Sequence, residues 1–326
     1  MTVPPLCCGA HEMETRVGRE GPAPQPAGRT ARRFHLTPVL MVLPAVGVLL
    51  AITVFPLVYT LRLTVMSWEL TTSFPAQFVG FQNFVRALSQ DPRFWNAMMN
   101  TGVLVVVGVG LQTLIGTGLA LEVHRLGRLR TPVLSLLMIP VMIAPVIAGF
   151  QFRMIYNDQF GPLNFLLDQA TGGRFHGYAW LADPHVALGA VMFTDVWQWT
   201  PFMTLVVLAG LQAIPAELLE VAEVDGATGP QTLWRVTLPL LLPVIVIGIL
   251  VRVMDTFKLF DIVYQLTAGG PGNVTETIAY YTYLQGFKFF SLGYTAALAF
   301  IQLAVITLIA QVFLRYLKRG RAGTAA

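Results

Sequence analysis

Residues 220–244 read EVAEVDGATGPQTLWRVTLPLLLPV. The stretch opens acidic, breaks at Asp225-Gly226, and ends in an apolar run holding Pro239 and Pro243. Just upstream, Pro215 suits the first turn of a helix, and Glu217 and Glu220 favour the positive end of its dipole. Leu218, Leu219, Val221 and Ala222 give that helix an apolar side, expected to be buried. Gly226 can take the left-handed conformation that ends a helix. Pro230 can open a second short helix that runs to Leu238-Pro239. Glu217, Glu220 and Glu223 recur every three residues and share a face. Residues 212–238 thus predict a helix, a glycine turn and a second helix. Such a hairpin serves either as a solvated loop or as a knob that docks into another protein.

The flanks are far more apolar. Of 326 residues, 55% are hydrophobic and 12% charged, with a mean hydropathy of +0.64. A soluble domain carries about 25% charged residues, so this composition predicts an all-α integral membrane protein. Six apolar stretches reach the roughly 20 residues that a spanning helix needs: 38–60, 97–121, 132–155, 186–211, 239–262 and 293–314. Pro140, Pro145 and Pro201 are expected to interrupt the third and fourth. Arg29, Arg32 and Arg33 precede the first span. Arg125, Arg128 and Arg130 fill the loop after the second, Arg235 lies between the fourth and fifth, and Arg315, Lys318, Arg319 and Arg321 follow the sixth. The opposite loops hold only Arg86, Arg93, Arg174 and Lys288. The positive-inside rule then puts both termini and the 212–238 hairpin in the cytoplasm. Trp68, Trp95, Trp180, Tyr156 and Tyr178 read as interfacial anchors.

Residues 1–35 read as a disordered cytoplasmic tail, in which Met13 is an alternative start. Residues 36–95 read as the first span with its extracytoplasmic loop, 96–315 as a five-span core, and 316–326 as a cytoplasmic C-terminal tail. The cysteines, Cys7 and Cys8, are adjacent and offer neither a disulfide framework nor a metal site. No Gly-Lys pair occurs, which excludes a phosphate-binding loop, and no nucleophile with its base stands out. Neither an enzyme nor a nucleic-acid binder is expected.

The hairpin resembles the EAA loop of permease subunits from ABC importers. That pattern is Glu-Ala-Ala, three residues, Gly, nine residues, Ile, one residue, Leu-Pro. Here Glu220, Val221 and Ala222 are followed at those spacings by Gly226, Val236 and Leu238-Pro239. Val221 replaces the first Ala and Val236 the Ile. Asp225-Gly226-Ala227 fits the extended pattern. WQWTPFMTLVVLAGLQAIPAELLEVAEVDGA, FKLFDIVYQLTAGGPGNVTETIAYYTY, GYTAALAF and VGFQNF at 79–84 resemble the carbohydrate-uptake branch, of maltose and glycerol-3-phosphate type. The resemblance covers about 36–318. It implies a six-helix type 1 permease fold in a bacterial plasma (inner) membrane. It implies as partners a second permease subunit in a heterodimer, a dimer of ATPases that carry ATP and Mg, an extracytoplasmic solute-binding protein, and a sugar or polyol substrate. Glu217, Glu220, Ala222, Asp225, Gly226, Ala227, Leu238 and Pro239 would then form the loop that seats in a cleft of the ATPase. The competing reading, an ion-gradient-driven secondary transporter, needs internal repeats, and 38–155 shows no convincing repeat of 186–314.

Within the fifth span, Arg252, Asp255, Lys258 and Asp261 stand at three-residue spacing, with Arg252 about 20 Å from the cytoplasmic end. Charges at such depth are costly and must be paired or face water. One reading is an internal ladder of ion pairs along the helix. The other is a candidate substrate path, in which Asp195, Arg252, Asp255 and Lys258 meet sugar hydroxyls and Trp197, Trp199 and Tyr264 offer flat apolar faces.

Overall fold

A computed structural model describes residues 36–71 and 75–323; the expected tail 1–35, with Cys7, Cys8, Arg29, Arg32 and Arg33, lies outside the described residues. The chain divides into two compact units at Thr53/Val54. Of the first, the described part is the opening of α1 (Leu36–Thr64), a helix apolar on all sides, as lipid requires.

The second unit is helical apart from a two-residue antiparallel pair, β1 (Met66–Ser67) with β2 (Gln77–Phe78). Asn83 fastens the end of α1 by donating to the carbonyls of Thr64 (2.8 Å) and Met66 (3.0 Å). α2 (Pro92–Arg125) starts where Asp91 caps the amides of Arg93 and Phe94 and Pro92 takes the first turn. It is followed by α3 (Gly127–Met142), α4 (Pro145–Ile155), α5 (Pro162–Thr171), α6 (Ala187–Gln212) and α7 (Ala216–Val224). Then come α8 (Gly229–Thr256), α9 (Asp261–Leu266), α10 (Ile278–Tyr283) and α11 (Leu292–Gly323).

α6 is the axis of this unit. It packs along α2 and against α8, and most of its residues are buried. Its approach to α2 depends on Gly116, where a Cβ would stand 2.8 Å from Met203 Cβ. Small residues at such crossings are how membrane helices gain dispersion contact without help from water. Three apolar clusters surround α6 and α8. One joins Phe94, Val253, Tyr281 and Tyr294; one joins Phe152, Tyr156, Val191 and Ile262; one joins Val207, Leu208 and Leu241.

Among the described residues, four helices are long and apolar enough to cross a membrane, and the number reaches six if two bent pairs each count as one span. The pairs are α3 with α4, bent by 91°, and α6 with α7, bent by 72°. The stretch 132–155 is therefore not one straight helix. Ala144 is extended because the residue before proline is driven out of the helical region, Ile143 is extended with it, and Pro145 starts α4. The freed Ile143 carbonyl is taken by the Gln198 side-chain amide at 2.8 Å. Pro201, expected to interrupt the fourth span, instead lies inside an unbroken α6. The fifth span differs too. The second helix of the hairpin does not stop at Leu238-Pro239 but continues as α8, through a π turn at Leu233–Thr237, and ends at Thr256 rather than 262. Gln302 and Thr277 donate to the carbonyls of Phe257 (2.7 Å) and Leu259 (2.7 Å), replacing helical partners where the chain turns. The sixth helix likewise continues to Gly323, through most of the expected 316–326 tail. Tyr156, read as an interfacial anchor, is a core residue whose hydroxyl donates to the Ala190 carbonyl at 3.3 Å.

Candidate functional site

The hairpin between α6 and α8 is locked by its own backbone. Pro215 precedes α7 and Glu217 lies in its first turn. Gly226 sits at φ +78°. Its N–H donates to the Glu223 carbonyl and that of Ala227 to the Ala222 carbonyl, both at 3.0 Å, the paired bonds of a Schellman stop. Thr228 and Gln231 then form a capping box, Gln231 accepting the Thr228 N–H at 2.8 Å, and Pro230 opens α8. The corner therefore has a fixed shape. Its apolar side, expected to be buried, is not: Ala222 is buried and Leu219 half-buried, but Leu218 and Val221 are exposed and Val224 is 87% exposed. Trp234, on the first turns of α8, is 71% exposed. Leu219 and Ala222 are the covered apolar positions of α7, and the stripe that continues through Val221 and Val224 is left open. Glu217, Glu220 and Asp225 are exposed beside it, Ala227 is half-buried, and Leu238 and Pro239 lie within α8.

The second site is polar and deep. Arg252, on α8, is 1% exposed. Its Nε donates to Gln112 Oε1 of α2 at 2.9 Å, and its Nη2 lies 3.2 and 3.3 Å from the two Asp195 oxygens of α6. Gln112 Nε2 closes the triangle onto Asp195 Oδ2 at 2.7 Å. Thr256 meets the same Nη2 at 3.4 Å, and Asp255 stands 3.6 Å from Nη1. The guanidinium lies over the Trp199 ring, 4.5 Å from its centroid. Arg252 thus ties three helices together rather than one ladder. The ladder reading fails beyond Asp255, because α8 ends before Lys258 and Asp261 opens a separate helix.

Beside this knot lies a cavity of about 200 Å³ lined by Pro145, Asp195, Trp199, Arg252, Asp255, Lys258 and the Leu259–Asp261 segment. It brings together five of the seven residues singled out for a substrate path. Trp197 is not among its lining; it packs edge-on against Phe152, with centroids 5.0 Å apart. Nor is Tyr264, which stacks on Phe260 at 5.4 Å within a group that includes Tyr280 and Tyr283. Sequence reasoning missed Gln112, whose signal was a lone amide in the apolar run VVVGVGLQTLIG. It also missed Trp234 and Phe260.

A third polar cluster holds the far end of α2. The Asp91 carboxylate accepts from the hydroxyls of Tyr281 on α10 and Tyr294 on α11. Arg93 forms a two-pronged pair with Glu276, and Arg86 lies over the Tyr294 ring at 4.3 Å. Burial pushes the Asp91 carboxyl up, but hydrogen bonds from Tyr281, Tyr294 and the Phe94 and Arg93 amides outweigh it and hold the group below its ordinary range.

The helical arrangement has known counterparts. A solved bacterial ABC transporter involved in import of the acidic polysaccharide alginate superposes with a TM-score of 0.74 at 23% identity, over 87% of this chain and 95% of that one. Among curated proteins, the sulfoquinovosyl glycerol transport system permease SmoG of Agrobacterium fabrum is 35% identical, covering 87% of this chain and 91% of its own. The trehalose/maltose transport system permease MalF of Thermococcus litoralis is 34% identical, over 86% and 92%. The model of the binding-protein-dependent transport system inner membrane component matches residues 112–322, a stretch that holds the hairpin, Arg252, Asp195 and Gln112. With more than half of its length matched, the chain belongs to the family of binding-protein-dependent transport system inner membrane components.

Proposed function

We propose that this chain, a permease subunit of a sugar ABC importer, moves a saccharide or related polyol across a bacterial inner membrane as one half of a pore completed by a second permease. ATP and Mg belong to a pair of ATPase subunits, and an extracytoplasmic binding protein delivers the substrate. Both termini face the cytoplasm in this reading. The observation that carries it is the hairpin: a conformationally fixed corner that displays Val221, Val224 and Trp234 to solvent beside Glu217 and Glu220. Exposed apolar side chains on a rigid, polar-rimmed corner suit a protein partner. α7 is joined to α6 by three residues and to α8 by the Gly226 corner, so displacement of the hairpin is passed to both helices that hold the polar cavity. That is a rigid-body route from nucleotide-driven closure to the substrate path. The relatives named for trehalose/maltose and for sulfoquinovosyl glycerol support a saccharide or glycoside substrate.

The test is sugar uptake and ATPase stimulation by the complete complex in liposomes. Val224→Arg should leave this chain in the membrane with its partner permease but reduce co-purified ATPase and uptake at least tenfold. Gly226→Val, strained at positive φ, should keep the ATPase bound yet lower uptake per ATP. Full coupled uptake by both variants would falsify the role given to the hairpin.

A further inference from the structure

We infer that the α6–α8 cavity selects an uncharged sugar ring over its phosphorylated or carboxylated counterpart; this rests on the substrate-path reading above. The observation is the allocation of its charges. Asp195 and Arg252 neutralise each other at 3.2 Å. What remains toward the cavity is the Asp255 and Asp261 carboxylates against the Lys258 ammonium, two negative charges to one positive. An anion needs free, convergent donors, and Arg252 offers at most its Nη1, which a carboxylate already faces. Its Nε is held by Gln112, its Nη2 by Asp195 and Thr256, its Nη1 faces Asp255, and one face lies on Trp199. Lys258 is the remaining cation of the lining, placed in sequence between Asp255 and Asp261. Both carboxylates have unused acceptor oxygens, and acceptors are what sugar hydroxyls can donate to.

Volume points the same way. About 200 Å³ is below the roughly 300–1,000 Å³ of pockets that take drug-sized ligands. It holds one ring against Trp199 and Phe260 and leaves little room for a hydrated counter-ion. A bound phosphate or carboxylate would bring a further negative charge into a net-negative, partly desolvated space, where charge interactions exceed those in water several-fold.

The experiment is equilibrium binding by calorimetry to the purified complex without the binding protein, using the one-ring pair glucose and glucose 6-phosphate as probes. Glucose should bind at least tenfold more tightly. The Asp255→Asn, Asp261→Asn double variant should bring the two affinities to within about threefold by favouring the phosphate, and Lys258→Met should widen the gap. Equal or tighter binding of the phosphate by the unmodified complex overturns the inference. So does a preference that neither variant changes, because it would arise elsewhere. Binding of neither probe removes the cavity as a sugar site; ATP-driven uptake by the same preparation, measured separately, then reports on the transport reading itself. Circular dichroism and complex yield of each variant confirm that the comparison is made on folded protein.

Discussion

Arg252 is the residue on which most depends. A guanidinium buried among three helices is tolerable only because every group around it answers its charge or its donors. Removing one partner leaves the other charge uncompensated, at a cost of about 3–5 kcal/mol. Asp195→Asn should therefore lower the yield of folded complex sharply, and so should Arg252→Met. Because the two losses share one cause, the Asp195→Asn, Arg252→Met double variant should recover a substantial part of the yield. Additive losses, measured by size-exclusion yield and thermal unfolding in detergent, would mean that the pair is not coupled as its geometry requires. Only part of this was legible in the sequence. The spacing of Arg252 and Asp255 marks a local i, i+3 contact, and the two do meet at 3.6 Å. The stronger partners, Asp195 and Gln112, are 57 and 140 residues away, and no periodicity reports a contact across two other helices.

At the scale of elements, what could be read was whatever the chain settles locally. Pro215, Gly226 and Pro230 act within one or two turns, so the hairpin's turn and both helix starts follow from sequence. The break in the third span also follows from Pro145, with Gln198 taking up the freed Ile143 carbonyl, but the end of the fifth did not, because it is set from outside: Thr277 and Gln302 hold Leu259 and Phe257. The Asp91 cluster is of the same kind, one carboxylate joining the start of α2 to α10 and α11. Its contribution has a pH signature. A carboxyl whose folded pKa is depressed adds stability above its unfolded pKa of about 3.9, and that stability is lost as pH falls through the lower, folded value. Asp91→Asn keeps a capping oxygen but loses the charge that accepts from both tyrosines. The wild-type chain should unfold at higher temperature than Asp91→Asn at pH 5–8, and the difference should shrink below about pH 4. A gap that stays constant down to pH 3 would show that the charge on Asp91 adds nothing.

For the molecule as a whole, composition announced a membrane protein, and charge placement gives an expectation of its orientation. Of the four cations on the side read as external, Arg93 is paired with the buried Glu276, while Arg86 keeps its charge over the Tyr294 ring. The rule reads the count of Lys and Arg, and on that count Arg125, Arg128 and Arg130 are expected to stay in the cytoplasm. Whether α3 and α4 together cross the bilayer is a sharper question, because a 91° bend fits either a broken span or a re-entrant loop. Arg128 and Gln159 are exposed residues on either side of that bent pair. With Cys7 and Cys8 replaced by serine, Gln159→Cys should react with a membrane-impermeant maleimide on right-side-out vesicles, and Arg128→Cys only after the vesicles are opened. Labelling of both before opening would contradict the charge rule, whereas protection of both would make the pair re-entrant. In the re-entrant case Pro145 and the cavity it lines would be reached from the cytoplasm around a loop that never crosses, and the substrate path would have to run along α6 and α8 alone.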